Sequence, residues 1–343
     1  MRTKEYFIDE FLKFNDKENV DEYISRLEAY ISENGDDMQL KLILYYYRGA
    51  KADDIENNYE KACEIATLVL ESLKTVSWGW LEIQVLASAI TRAPHYTLGW
   101  ESMQKALDIL DNEFFNHEHY EYTKLRFYFN FTLRLLRARY YDNADPADIQ
   151  AKFDQCMQQA ISFCEKKGYI THRTVLLVRQ AVFYGDSDKI LEYVDALEAT
   201  KDKMWIRTTK DEVVEYFQRL GGKATTDLKN LIVGWQIYKR RKALGMSTSD
   251  LTDAIGATSP ATINLYERGD RGVGPARLCK IAEVLGVDMS YFYGGSSTEP
   301  TNTTTDIATH KVAQLMLQMS EREKECLLEN AMSLIKLNKK RDE

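Results

Sequence analysis

The sequence predicts an all-α protein: a large N-terminal stack of helical pairs, then a five-helix domain, then a C-terminal helix. Three observations carry that reading. Up to residue 220, apolar residues recur three and four apart, as in Tyr23, Leu27, Tyr30 and Ile31, or Ala62, Ile65, Ala66 and Val69. That is the period of a helix with one face turned inward. Strand-like alternation is nearly absent, and glycine and proline are thin. At 343 residues the chain exceeds the roughly 250–300 residues at which one core stops growing, so at least two domains are expected.

Short polar breaks divide the first 220 residues into helices. They are Asn34-Gly35-Asp36, Lys51–Asp54, Arg92–His95, Asp142–Pro146, Lys166–Gly168, Gly185–Asp188 and Thr200–Lys203. Pro146 and Asp188 sit at new helix starts, where proline at the first position and acids in the first turn are favourable. First helices of pairs are expected near residues 37, 77, 118 and 170, in steps of about 40, 41 and 52 residues. Tyr59-Glu60-Lys61-Ala62-Cys63-Glu64-Ile65-Ala66 and Trp100-Glu101-Ser102-Met103-Gln104-Lys105-Ala106-Leu107 resemble the second helix of a tetratricopeptide repeat, a unit of ~34 residues with relatives at ~40–47. A plain irregular helical bundle is the competing reading. Residues 1–220 are expected to form this repeat-like domain, as a sensor or interaction module.

The texture changes at Gly221-Gly222-Lys223-Ala224-Thr225-Thr226, a flexible break. A compact helical domain is expected at 229–295. A polar low-complexity linker follows at 296–307. A helical dimerisation tail is expected at 308–343, where Ser320 and Glu323 form a capping box and Leu327, Leu328, Ala331, Leu334 and Ile335 share a face.

Within the compact domain, the first helix should end at Leu244, before Gly245. Ser247 or Thr248 caps a second helix through Leu251, Ala254 and Ile255 to Gly256. Ser259 and Pro260 open a third, with Ile263 and Tyr266 inward and Ala261, Thr262, Asn264, Leu265 and Arg268 outward. A fourth runs from Ala276 to Leu285 and is closed by Gly286. The stretch Arg240-Arg241-Lys242-Ala243-Leu244-Gly245-Met246-Ser247, then Leu251, Ile255-Gly256, Tyr266-Glu267-Arg268-Gly269, Arg277-Leu278, Lys280-Ile281-Ala282, Val284-Leu285-Gly286-Val287 and Ser290-Tyr291-Phe292 resembles the lambda-repressor-like helix-turn-helix of the XRE family. The resemblance covers about one fifth of the chain. It implies double-stranded DNA as partner, a homodimer, and transcriptional regulation, with repression expected rather than activation.

In such a domain the second helix of the motif enters the major groove with its N-terminal part at base edges. Ala261, Thr262, Asn264 and Leu265 are the base-reading candidates. Small residues permit close approach, Ala261 suits a thymine methyl, and Asn264 suits adenine N6 and N7. Arg240, Arg241, Thr248, Ser259, Arg268 and Arg271 are the phosphate candidates, since basic residues and helix N-termini meet phosphates. Two features depart from the family pattern: the spacing from Gly256 to Tyr266 is one residue longer, and Thr248 and Leu265 stand near positions where Gln and a basic residue are common.

Charge agrees with this division. The chain carries a net −8. Residues 229–295, however, hold nine bases and six acids, while residues 1–228 hold 29 bases and 39 acids. A local basic patch is the footprint of polyanion binding whatever the global balance.

In the N-terminal part, Arg126, Asn130, Arg134 and Arg137 form a polar stripe on one predicted helix, and Arg173 and Arg179 follow. They are the candidate effector groove, Asn pairing with a peptide backbone and Arg with a carboxylate; a solvated, salt-bridged face is the competing reading. The clusters Tyr45-Tyr46-Tyr47, Trp78/Trp80 and Phe127-Tyr128-Phe129 are expected in the core.

Other classes find no support. No apolar run approaches the ~20 residues of a membrane span, and no secretory leader is visible, so a cytoplasmic setting is expected. Five scattered cysteines, none in a Cys-x-x-Cys pair, suggest neither a disulfide framework nor a zinc ribbon. His117 and His119 lack a third imidazole. Phosphate-loop, dinucleotide and nucleophile-elbow motifs are absent. No enzyme, metal or cofactor is expected. The alternative to a regulator is a protein-interaction scaffold, an antitoxin-like or phage-derived module with a vestigial helix-turn-helix.

Overall fold

The computed structural model describes residues 3–12, 20–56, 58–217, 224–257 and 259–293. The expected linker at 296–307, the tail at 308–343 and residues 221–223 of the glycine break lie outside the described residues. Among the described residues there are sixteen α-helices and no strand. None of the helices is long and apolar enough to cross a membrane. The chain divides into two compact units, Met1–Thr209 and Lys210–Glu343.

The first unit comprises α1 (Lys4–Leu12), α2 (Val20–Asn34), α3 (Met38–Ala50), α4 (Tyr59–Leu73), α5 (Trp80–Ala89), α6 (Tyr96–Glu113), α7 (Tyr120–Tyr141), α8 (Pro146–Lys167), α9 (Ile170–Tyr184), α10 (Ser187–Ala199) and the start of α11 (Lys203–Phe217). Side chains in the polar breaks start the helices. Asp37 accepts from the N–H groups of Gln39 and Leu40, Asn58 from Lys61, Asp145 from Ala147 and Asp186 from Lys189. Each satisfies an N–H that the first turn leaves without an intrahelical partner, worth typically ~1 kcal/mol. Lys51–Ile55, expected as a break, is instead a π-helical turn that prolongs α3.

The packing follows chain order. Helices α3, α5, α7 and α9 each touch the next of the four. Within each pair α3 meets α4, α5 meets α6, α7 meets α8 and α9 meets α10, and α4, α6 and α8 also touch the pair that follows. This is the contact order of stacked helical pairs, in which each unit buries its apolar face on its neighbours. Aromatic residues fill the seams. Phe153 stacks on Phe183 at 3.9 Å, and Phe127 and Phe131 are fully buried. Trp205 of α11 packs edge-on to His172 and tilted against Phe129.

The second unit takes the end of α11 and then α12 (Thr226–Ala243), α13 (Thr248–Ile255), α14 (Pro260–Arg268), α15 (Pro275–Leu285) and α16 (Met289–Phe292). Ile237, Leu251, Ile263, Leu278, Ile281, Leu285 and Phe292 are fully buried in one core; each such side chain contributes roughly 1.5–3 kcal/mol by leaving water. Trp235 anchors α12 on α11: its Nε1 donates to Asp211 at 2.9 Å, the Lys210 ammonium lies 5.4 Å from its ring centroid, and it stacks on Tyr238. Helix α12 starts earlier than the expected domain boundary. Thr225 caps it, and Leu228, Leu231 and Ile232 give its extra turn a buried face.

Candidate nucleic-acid interface

Helix α14 crosses α12 at close quarters, and two glycines permit it. A Cβ on Gly234 would lie 2.0 Å from the Tyr266 carbonyl oxygen, and one on Gly269 would lie 2.6 Å from the Leu231 Cα. Gly269 also takes φ +83°, a region other L-residues rarely enter. The turn between α13 and α14 opens at Gly256, in the left-handed conformation with φ +63°, and passes through Ala257 to Ser259. Helix α13 thus leads into α14 by a sharp turn, the arrangement that presents the second helix of such a pair to a groove.

The outward row of α14 consists of Ala261, Asn264 and Arg268, all exposed, with Leu265 half-buried beside it. Thr262 departs from expectation. It is 7% exposed, because the inward arc of α14 takes in Thr262, Ile263, Tyr266 and Glu267 rather than Ile263 and Tyr266 alone. Its hydroxyl lies 3.4 Å from that of Ser259. Thr262 therefore belongs to the interior and not to the base-reading set.

Arg240 and Arg241 are also corrected. Each is 3% exposed. Arg240 Nε donates to the Leu285 carbonyl at 3.0 Å, tying α12 to the end of α15. Arg241 meets the Glu267 carboxylate through Nε and Nη2 at 2.5 and 2.7 Å and donates from Nη1 to the Met246 carbonyl. These arginines hold α12, α14 and the α12–α13 turn together, and their guanidinium groups are buried rather than offered at the surface as phosphate contacts require. Helix periodicity gave their face; it did not show that the face is covered.

Besides Lys229 and Lys242 of α12, several cations reach the surface on the α14–α15 side. Arg271 is exposed, and Arg268 is exposed in a solvated pair with Asp270 at 2.6 Å. Such pairs are worth ~0–1 kcal/mol and exchange partners easily. Arg271, Arg277 and Lys280 border a cleft of about 490 Å³ beside the N-terminus of α15. Arg277 Nη1 donates to the Tyr266 hydroxyl at 2.8 Å, fixing both side chains. Sequence reasoning assigned no contact to Arg277 or Lys280. Their spacing of three at the start of the fourth helix was the available signal, since it places two cations on one face beside a helix N-terminus.

Ser259 precedes α14 as its cap position but makes no side-chain cap bond. Thr248 is half-buried at the start of α13. The N-terminus of α13 already holds a carboxylate: Asp250 accepts from the Ser247 N–H at 2.7 Å, and Ser247 Oγ accepts from the Asp250 N–H. That backbone N–H holds the Asp250 carboxyl below the usual aspartate range.

In the first unit the polar stripe of α7 is mostly turned onto α5. Arg126 bonds Gln84 and Ser88, and Asn130 Nδ2 donates to the Ala87 carbonyl at 2.5 Å. Arg134, 3% exposed, donates to the Ala93 and Pro94 carbonyls and to Asp142; Arg179, 4% exposed, donates to the Phe129 carbonyl and Thr132. These two are interior ties, not groove residues. Arg173 pairs with Glu165 in solvent. Asn130 and Arg137 do share a cleft, of about 300 Å³, with Asp53, Thr91 and Arg92, which sequence reasoning had not assigned to it. Of the aromatic clusters, Phe127, Tyr128, Phe129 and Tyr47 are buried, while Tyr45, Tyr46, Trp78 and Trp80 are half-buried. The ring of His117 stacks on Trp80 at 3.7 Å, and its Nδ1 accepts from the His119 N–H.

A family model described as helix-turn-helix matches residues 237–292. Uncharacterized HTH-type transcriptional regulators of Sinorhizobium medicae and Rhizobium meliloti are each 41% identical over 61 residues, 18% of this chain and 43% of theirs. Another, of Sinorhizobium fredii, is 37% identical over 71 residues, 21% of this chain and 49% of its own. The chain spans less than half the length of these relatives. No solved structure matches it.

Proposed function

We propose that this chain, whose residues 237–292 match a helix-turn-helix family model, is a cytoplasmic transcriptional regulator of the XRE type, not an enzyme, which binds specific double-stranded DNA as a homodimer and represses. The observation that carries the reading is the exposed row Ala261, Asn264 and Arg268 on α14, flanked by Arg271, Arg277 and Lys280 and backed by a packed hydrophobic core. The N-terminal part of α14 enters the major groove. Ala261 meets a thymine methyl, Asn264 pairs with adenine N6 and N7, and Leu265 makes an apolar contact at the edge. Arg268, Arg271, Arg277, Lys280, Thr248 and Ser259 meet phosphates, which set register and orientation without carrying sequence.

Residues 1–220 serve as the tetratricopeptide-like sensor of an effector, residues 229–295 as the DNA-binding domain, 296–307 as a linker and 308–343 as a dimerisation tail. Two-fold symmetry then demands a pseudo-palindrome with half-sites ~10–10.5 base pairs apart or a multiple of that. An effector changes DNA binding only through its differential affinity for the two arrangements of the dimer.

The test is selection of bound sequences from a random duplex pool with the full chain, at two salt concentrations. The expected result is a palindromic motif whose affinity falls linearly in log salt concentration, as counterion release requires. Failure to enrich any sequence, with and without effector candidates, sinks the reading and favours the scaffold alternative.

A further inference from the structure

Two consecutive residues of α14 each hold an arginine, and they hold it differently. Glu267 meets Arg241 with a carboxylate in the interior and cancels its charge. Tyr266 meets Arg277 with a hydroxyl, which accepts from Nη1 at 2.8 Å. Among the described residues Arg277 has no carboxylate partner. Its charge is therefore held in place without being cancelled, unlike that of Arg268, which Asp270 meets at 2.6 Å.

The setting of Tyr266 makes that hold firm. The residue is 3% exposed, and it belongs to the same core as Ile237, Leu251 and Ile263. A close-packed interior keeps such a ring in one position, which fixes where the hydroxyl stands. Phenylalanine would fill the same apolar space; only the bond to Arg277 calls for tyrosine. A buried tyrosine hydroxyl usually finds a partner, and here the partner is a half-buried cation at the edge of a cleft. That cleft, of about 490 Å³, is lined by Tyr266, Arg271, Arg277 and Lys280 and by no acid among the described residues. The N-terminus of α15 also borders it, with Gly274 at the cap position and no side-chain cap bond. Helix α13, by contrast, covers its own N-terminus with Ser247 and Asp250. Uncancelled cations beside an uncovered helix N-terminus favour an anion.

We propose that Tyr266 is a positioning residue for DNA binding: its hydroxyl holds the Arg277 guanidinium ready for one backbone phosphate at this cleft. The proposal rests on the DNA-binding reading above and deepens it. A long side chain ordered beforehand does not have to be ordered on binding, and that ordering otherwise weakens affinity about two- to tenfold per half-site. A phosphate contact carries no base information, so the hydroxyl governs affinity and leaves the recognised sequence alone.

The experiment is a double-mutant cycle on the full chain, read by gel-shift titration at several salt concentrations. The probe is the duplex most enriched by the wild-type protein. Tyr266→Phe removes only the hydroxyl. It should weaken binding about two- to tenfold per half-site and leave the slope of log affinity against log salt unchanged, because Arg277 keeps its charge. Arg277→Gln should weaken binding further and lower that slope by about one per half-site. Adding Tyr266→Phe to Arg277→Gln should change nothing more, since no guanidinium is left to position. Helical content and the selected sequence should match the wild type throughout. Should Tyr266→Phe fail to fold, Arg277→Lys takes its place: it keeps the charge, loses the planar fork, and should weaken binding at constant slope. Wild-type affinity in the variant so used overturns the proposal. So does a Tyr266→Phe effect that persists undiminished beside Arg277→Gln, or a changed selected sequence, since either marks a purely structural role. A wild-type chain that enriches no duplex fails the DNA-binding reading, and this proposal with it; wild-type enrichment with an indifferent hydroxyl fails this proposal alone.

Discussion

The arginines of the two units look alike in sequence and fare alike in structure, though for different ends. In the first unit Arg134 and Arg179 reach across helical pairs to carbonyl oxygens of α7 and of the turn before α6. In the second, Arg240 and Arg241 reach from α12 to a helix-end carbonyl and to Glu267. All four sit on faces whose periodicity marks them polar, and all four are interior. The first pair joins repeat to repeat. The second sets the angle of the helix that would read DNA. Arg268 and Arg271, with the same sequence credentials, are exposed, and Arg173 is half-buried. Spacing assigns a residue to a face; only the neighbouring helix decides whether that face is wet.

Removing partners tests the division. Glu267→Ala strands the Arg241 guanidinium in the interior, and breaking a buried pair in this way costs about 3–5 kcal/mol. Chemical denaturation followed by circular dichroism should show the second unit melting first. A stable variant with tighter DNA binding would instead return Arg241 to the phosphate set. Arg134→Ala removes three bonds in the first unit, and the neighbouring Asp142 and carbonyls lose a charged donor; a loss of about 2–3 kcal/mol is expected, with DNA affinity untouched in gel-shift titrations. Were Arg134 a solvated groove residue, its stability effect would vanish.

The exposed set should behave in the opposite way. Asn264→Ala is expected to relax preference at one base pair by ~1–3 kcal/mol at constant melting temperature; an unchanged selected motif removes it from the reading helix. Arg271→Ala should shift stability by less than ~0.5 kcal/mol and lower the slope of log affinity against log salt by about one. A loss confined to one operator sequence would place it at a base instead.

The smallest effect is acid-dependent. Asp250 is fully exposed, and its carboxyl is held low by the Ser247 N–H. Its folded value lies below its unfolded one, so its contribution is fully present above about pH 4 and is lost as pH falls through the lower folded value. Asp250→Asn should therefore narrow the stability difference between pH 6 and pH 3, measured by thermal melts. An identical difference in both proteins would mean that the capping box carries no charge-dependent part.

Much of the fold was legible because it is local. The helix starts expected near 37, 77, 118 and 170 stand at Met38, Trp80, Tyr120 and Ile170, and Ser247, Gly256, Pro260 and Gly286 bound the helices they were expected to bound. What was not legible is tertiary. The extra turn of α12 depends on the Thr225 cap and on Leu228, whose burial only the assembled unit provides. The burial of Thr262 follows from how far α14 rotates onto α12, which the two glycines permit. The cleft of the first unit joins residues about 40 apart along the chain, from Asp53 to Arg92, and no pattern within one helix announces such a meeting.

Trp235 has an optical consequence. The other four tryptophans, Trp78, Trp80, Trp100 and Trp205, all precede residue 210, so the second unit holds a lone indole, hydrogen-bonded to Asp211 and stacked on Tyr238. With those four replaced by phenylalanine, fluorescence emission would come from this buried site alone. The indole bridges α11 and the helix that braces α14, so its emission would follow strain at that junction while DNA or ligand is titrated, without an added dye.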